Sequence, residues 1–350
     1  MDWPQNALIL FAGAVLLIAP PAWSQLEGAS SETRAACQQY MKTPLPAEAT
    51  QIAKPSKWPA CNSYLSYYGI GTSIDYGAAR KCAWQERLSY SEDISPDISN
   101  VFGGSALLSV FYANGDGVTK NIPLAIRFAC EQGWAPAEYD GRIEHLKALE
   151  NDPAPKNKFS FCDDVTSGFM AGFCASLESD LQEQKLKSNQ IRLTQMWTVE
   201  QKAAFALLTK ARDLYAAKHG YGETDHSGTA HAAFEIEAED EVKNKFQQEL
   251  SVFEKGQLPQ GTSDDAQKAD AELNRVYHTT MENSGGHKSN IGAVQPTDIR
   301  DAERAWIRYR DAWIAFAKLR YPTASTDVWM ESFTKERICA LDDEHAGCKP

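Results

Sequence analysis

The stretch IRDAERAWIRYRDAWIAFAKL, residues 299–319, decides the fold class. Its Ala302, Trp306, Tyr309, Trp313 and Phe316 recur at intervals of three and four, the spacing that sets side chains on one face of an α-helix. A stripe this broad and aromatic belongs in a core.

The same period runs outward on either side. Thr198 and Gln201 form a capping box, and Phe205, Leu208, Arg212 and Tyr215 follow at helical spacing, which predicts a helix from Val199 to Lys218. A second helix is predicted from His231 to Glu254; its acids Glu235, Glu237, Glu239, Asp240 and Glu241 read as a solvated face. GQLPQGTS, residues 256–263, is a loop by composition, and from Asp264 a further helix carries Ala266, Ala269, Leu273 and Val276. The chain is therefore expected to be all-α.

Towards the N-terminus, LSYYGIGTSIDYGAARKCA and LSVFYANGDGVTKNIPLAIRFAC share one pattern: small and aromatic residues, a Gly-rich turn, then an Ala-rich amphipathic stretch. In the second copy Gly115 and Gly117 suit turn conformations with positive φ, and Ala125 and Ala129 let two helices approach closely. Tyr112-Ala113-Asn114-Gly115-Asp116-Gly117-Val118 resembles the turn of Sel-one-like repeats, a tetratricopeptide-related helix-turn-helix family. Tyr68-Gly69-Ile70-Gly71-Thr72 is a shortened copy, and the resemblance covers about residues 58–145. Asn151 to Asn157, with prolines at 153 and 155, breaks any helix. The expected organisation is a repeat domain over 25–150 and a helical region over 157–350, with a sub-boundary near 260.

The run from Ala7 to Ala19 is apolar but too short to span a bilayer, which takes about 20 residues. Pro20-Pro21 ends it, and Ala22-Trp23-Ser24 places small residues before Gln25, the arrangement of a cleavable export signal over 1–24, although no basic residue precedes the run. Cleavage would leave no stable membrane anchor. All 8 cysteines lie beyond that point and none forms a C-x-x-C pair, so disulfides are favoured over metal ligation. Asp2 is the one charged residue in 1–24, so 35 basic and 46 acidic residues remain, a formal −11 that makes nucleic acid a poor partner.

Spacing also suggests pairings. Cys162 and Cys174 would stand ~18 Å apart on one unbroken helix, beyond disulfide reach, so they pair only across a bend, which Gly168 offers. A Cys162–Cys174 bridge closing a helical hairpin is expected, with Cys339–Cys348 around Gly347 and Cys61–Cys82 across the first Gly turn, leaving Cys37 and Cys130.

Residues 269–277, ADAELNRVY, and 304–313, RAWIRYRDAW, followed by Thr334 and Arg337 to Leu341, together resemble the lysozyme-inhibitor LprI-like family. Asp270, Leu273, Asn274 and Tyr277 match its first motif, Trp306, Tyr309, Arg310, Asp311 and Trp313 its second, and Thr334 and Arg337 its third. The first two sets lie on helical faces able to pack antiparallel. Residues 161–180 resemble the family's two-cysteine opening. The chain departs from the family at Ala312, Ile314 and Ala315, where members often carry a cysteine. Asn274 and Arg310, polar within apolar patterns, read as buried hydrogen-bonding groups rather than a recognition site.

Glu223, Asp225, His226 and His231 cluster in sequence, but the five-residue offset of the histidines does not match a zinc-binding helix, and a helix cap by Asp225 or Ser227 is the better reading. No nucleophile elbow, phosphate loop or dinucleotide fingerprint occurs, so a non-catalytic protein without cofactor is expected. The resemblance implies an exported protein that binds and inhibits lysozyme or a related cell-wall hydrolase. The alternative is a periplasmic adaptor that holds another envelope protein through its repeats. Candidate contact loops are Tyr221 to Thr229, with His226 and Ser227, and Ser284 to Pro296, with His287 and Lys288.

Overall fold

The computed structural model describes residues 28–55, 57–89, 98–133, 135–152, 156–284, 292–342 and 348, so the expected export signal at 1–24 lies outside it. Every regular element among the described residues is helical. The first seven α-helices are α1 (Ser31–Tyr40), α2 (Ser63–Tyr68), α3 (Tyr76–Ser89), α4 (Ile98–Phe102), α5 (Gly104–Asn114), α6 (Ile122–Ala129) and α7 (Pro136–Glu150). The remainder are α8 (Gly168–Thr194), α9 (Val199–Glu223), α10 (His231–Phe253), α11 (Ser263–Asn283), α12 (Pro296–Arg320) and α13 (Thr326–Leu341). None is long and apolar enough to cross a membrane among the described residues.

Two turns in the first half share one hydrogen-bond plan. Gly69 ends α2 at φ 72°, Gly71 follows at φ 70°, Asp75 N–H donates to Ser66 O at 3.0 Å, and Asp75 Oδ1 accepts from Ala78 N at 2.9 Å. After α5 the same offsets return: Gly115 at φ 76°, Gly117 at φ 64°, Asn121 N–H to Tyr112 O at 2.8 Å, and Asn121 Oδ1 from Leu124 N at 3.0 Å. Both leading glycines occupy the left-handed region that a side chain would strain. Helix α5 is buried on all sides between α3 and α6, and Ser109 Oγ satisfies Ala125 O at 2.9 Å.

The Cys37–Cys130 disulfide joins α1 to the end of α6, and Cys61–Cys82 ties the entry of α2 to α3. Cys162–Cys174 does not close a helical hairpin. Cys162 sits in a turn ahead of α8, and the bridge fastens that turn to the second turn of the helix, whose first residue is Gly168. The fourth bridge, Cys339–Cys348, links α13 to the residues beyond it.

The apolar clusters divide later than the Pro-containing break at 151–157. Phe159, Phe161, Met170 and Leu177 all join the first cluster. The Arg142 guanidinium lies 3.7 Å from the Phe161 ring centre, and the Asn114 side chain bonds both backbone groups of Phe159. Helix α8 then runs on to Leu193, which packs on the second cluster. That cluster spans Trp197 to Ile338 and takes in residues on both sides of position 260.

In the second half α8 packs on α10, α10 on α9, α9 on α12, and α11 on α13. A Cβ at Gly168 would sit 2.5 Å from Ala230 N, so only glycine allows this approach of α8 to the start of α10. The expected pairing of the α11 and α12 motif faces is not what forms. The α12 stripe meets aromatic partners on α9, α10 and α13, such as Tyr215, Phe246 and Phe333, whereas α11 buries a narrow strip of Ala269, Leu273 and Val276 against α13. Helix α9 continues past Lys218 to Glu223, so the first part of the loop expected from Tyr221 is helical.

Candidate functional site

Where α9, α10, α12 and α13 converge, a cleft of about 170 Å³ is lined by Tyr215, His219, Trp306, Tyr309, Phe333 and Arg337, with Glu241, Lys245, Glu249 and Glu336 around it. The aromatic members come from the 3–4 spacing of α9 and α12, which aims Tyr215 and Tyr309 at each other; their rings stack at 5.6 Å. Trp313 Nε1 donates to Tyr309 Oη at 2.8 Å, which leaves that buried pair satisfied.

Beneath the cleft lies Arg337, 1% exposed. Its Nη1 and Nη2 donate to Glu223 at 2.8 and 2.5 Å, its Nε to Glu303 at 2.9 Å, and Nη1 also to Tyr215 Oη at 3.2 Å. A buried guanidinium is tolerated only with such pairing. Burial alone would raise the Glu223 carboxyl, but the charge and hydrogen bonds of Arg337, with a bond from His219 at 2.6 Å, bring it down to about 2. Burial pushes the Tyr215 hydroxyl up to about 12.

Glu249 has the opposite environment. Its Oε1 is shut off from solvent, although the residue as a whole is only partly buried. Burial, then the charge and hydrogen bond of Glu336, hold the Glu249 carboxyl well above the usual range, against a smaller opposing effect of Lys245. Lys245 itself pairs with Glu336 at 3.3 Å.

Of the motif residues, Trp306, Tyr309 and Arg337 come together here, Trp313 lies beside them, and Thr334 is buried one turn before Arg337. Leu273 is buried and Tyr277 half-buried on α11, away from the cleft. Asn274 is exposed and its amide donates to Asp270 O on its own helix at 2.8 Å, so it is no buried hydrogen-bonding group. Arg310 is half-buried with its guanidinium 5.1 Å from the Trp306 ring centre, and it bonds the exposed Asp311 at 2.9 Å.

In the first candidate loop, His226 Nε2 contacts Tyr221 O at 2.5 Å, His226 N–H donates to Gly292 O at 2.8 Å, and the rings of His226 and His231 lie 6.0 Å apart. Asp225 accepts from Ser227 N in a local turn, so neither caps α10, whose N-cap Ala230 has no side-chain bond. Among the described residues no cluster of metal ligands forms. His287 and Lys288 lie outside the described residues.

The residues that sequence reasoning missed are Glu249, Glu303, Glu336 and His219. Glu223 was singled out, but for the wrong company. Its partner Arg337 is 114 residues away, and no local spacing reports a pair at that distance.

Comparison with curated proteins finds no match, and comparison with solved structures finds none either. Residues 255–341, from just beyond α10 through α13, match the family model described as Lysozyme inhibitor LprI, so the motif helices that supply Trp306, Tyr309 and Arg337 are similar to a family of inhibitors.

Proposed function

We propose that this is an exported, non-catalytic binding protein whose C-terminal helical module inhibits lysozyme or a related cell-wall hydrolase. The observation that carries this reading is the family match over residues 255–341, which covers all three motif helices. Four disulfides with no free cysteine among the described residues support an oxidising compartment such as the periplasm or cell exterior.

Charge supports a cationic target, with a particular distribution. Residues 255–341 carry 12 acidic and 12 basic residues, so the net −12 of the chain comes from elsewhere. One source is α10, with six acids against two lysines, where Glu178 of α8 and Glu237, Asp240 and Glu241 of α10 line a shared groove. Such a face would speed encounter with a basic enzyme, but exposed charges are screened beyond about 8 Å at physiological salt, so steering alone is not inhibition.

The purified protein, titrated into a cell-wall lysis assay with several lysozymes at low and physiological salt, should slow lysis at both. Absence of inhibition with every lysozyme tested overturns the reading. The second reading, an envelope adaptor, is favoured by one observation: the two glycine turns with the same hydrogen-bond offsets, as Sel-one-like repeats would have. On that reading residues 28–194, which end with α8, would capture an envelope protein by themselves.

A further inference from the structure

The turn that joins α8 to α9 has an inner and an outer side. On the inner side Leu193 packs on the second cluster, and Trp197, 5% exposed, lies between Phe205 and Phe316 with the Arg320 guanidinium 5.0 Å from its ring centre. The capping box of Thr198 and Gln201 fixes the start of α9, so the turn is anchored and shaped without its outer residues. On the outer side Ile191, Met196 and Val199 are 73%, 91% and 79% exposed. Apolar side chains scattered singly over a surface are ordinary, but three of this size around one turn are a cluster that folding does not require.

The charge around this turn is opposite to that of the chain. Residues 183–202 hold Lys185, Lys187, Arg192 and Lys202 against Glu183 and Glu200, and the ends of α10 and α12 beside Trp197 add Lys255 and Lys318. Arg320 and Glu254 on those ends pair at 2.7 Å, and Lys187 pairs with Glu183 at 2.6 Å, so these charges cancel. Arg192 donates to Asn189 Oδ1 at 3.1 Å and Lys202 to Gln195 O at 3.2 Å, both neutral oxygens that leave the cations uncompensated. Cations therefore exceed acids around an apolar tip, in a chain whose net charge is −12.

We propose that this tip docks on a lipid bilayer that carries anionic headgroups. The two features select that occupant together: the cations meet lipid phosphates, while Ile191, Met196 and Val199 enter the boundary between headgroups and acyl chains. The acidic face of α10 does not forbid the approach. Charges more than about 8 Å from the surface are screened at physiological salt, whereas those of the tip lie against it. The acidic body is thereby turned outward and the molecule is oriented with the α8–α9 turn towards the lipid. The contact is peripheral and reversible, made by a few side chains, and no helix among the described residues is long and apolar enough to cross a membrane. It does not depend on the inhibitor reading, since none of the residues involved lines the cleft at Arg337.

The test sediments the exported form, residues 25–350, with vesicles of phosphatidylglycerol and phosphatidylethanolamine, and with vesicles of phosphatidylcholine alone as the neutral control, at low and physiological salt. The protein is expected on the anionic vesicles, more weakly as salt rises, and not on the neutral ones. Two variants separate the contributions: Ile191→Gln with Met196→Gln and Val199→Gln removes the apolar tip, and Arg192→Gln with Lys202→Gln removes two cations. Each should weaken partition by about tenfold. All five side chains are exposed, so both variants should unfold at the midpoint of the parent, which checks that a loss is not a folding defect. Absence from the anionic vesicles, equal partition onto the neutral ones, or unchanged partition of the apolar-tip variant overturns the inference. A dimer in light scattering that the apolar-tip variant abolishes, with no protein on the vesicles, overturns it too and assigns the tip to a second copy of the chain.

Discussion

The two halves of this molecule solve the same problem, ordering helices around a core, by different means. In the first, three disulfides link helices and turns, two glycine turns repeat one hydrogen-bond plan, and small residues let α5 sink completely between its neighbours. In the second, a single disulfide ties the end, and order comes from rings in continuous contact, from Trp197 through Phe316 and Trp313 to Phe333, above a buried guanidinium with two carboxylates. The first half is built from near neighbours and covalent ties. The second depends on helices far apart in the chain, and the family-matched segment is one part of a unit that needs α9 and α10.

The harshest way to break the contrast is truncation. Residues 255–341 alone lack α9, the main partner of α12, and lack Tyr215 and Glu223, which hold Arg337. That fragment should show no cooperative thermal transition by circular dichroism, whereas residues 168–342 should. A cooperative transition in the short fragment would mean that its helices suffice.

Next in size is the covalent difference. Cys37–Cys130 closes a loop of 93 residues and Cys339–Cys348 one of 9. Chain-entropy arguments put their removal by paired Cys→Ser substitution at about 4.5 and about 2.5 kcal/mol respectively. Denaturant titration checks the order, and a reversed order would show that the first half does not rely on its long crosslink.

The two buried arginines sharpen the comparison further. Arg337→Met leaves Glu223 and Glu303 without their counter-charge and should cost about 3–5 kcal/mol. Arg142, in the first half, makes one hydrogen bond to Phe161 O at 3.2 Å, its Nε and Nη1 have no partner, and burial brings its guanidinium down to about 10. Arg142→Met keeps the contact with Phe161 and should cost less than half as much, measured the same way.

Acid probes the second half more gently. Glu223 has its pKa lowered from 4.5 to about 2, so its stabilisation is complete above the unfolded value and is lost as pH falls from 4.5 through 2. The loss is at most about 3 kcal/mol. Unfolding free energies across that window should fall less steeply in Glu223→Gln. The smallest effect has the opposite sign. Glu249 is raised, so its folded form is favoured at low pH and penalised once the unfolded carboxyl ionises. Glu249→Gln should therefore raise the melting temperature slightly at neutral pH and leave it unchanged at pH values where both forms are protonated.

Legibility in the sequence followed the range of the interaction. The start of α9 was written in Thr198 and Gln201, which form the capping box; α11 begins at Ser263, one residue before the expected Asp264, because the Thr262 side chain accepts from Asp265 N as its N-cap. The end of α9 was not, because the residues from Lys218 to Glu223 continue through Gly220, packed against Glu235 O of α10, a contact invisible locally. Motif spacing identified Arg337 and Trp306 as notable but did not tell which helix each would meet.

By itself, then, the sequence determined the all-helical class, the aromatic face of α12 and the glycine turns after α2 and α5, since helical period, capping and positive φ are properties of a few consecutive residues. Tertiary structure alone decided that α12 lies on α9 and α11 on α13, that Cys37 reaches Cys130, and that Glu223 serves Arg337 while Glu249 faces Glu336. Those outcomes depend on which apolar faces fit when all are buried at once, and on the charges that burial then brings within reach of one another.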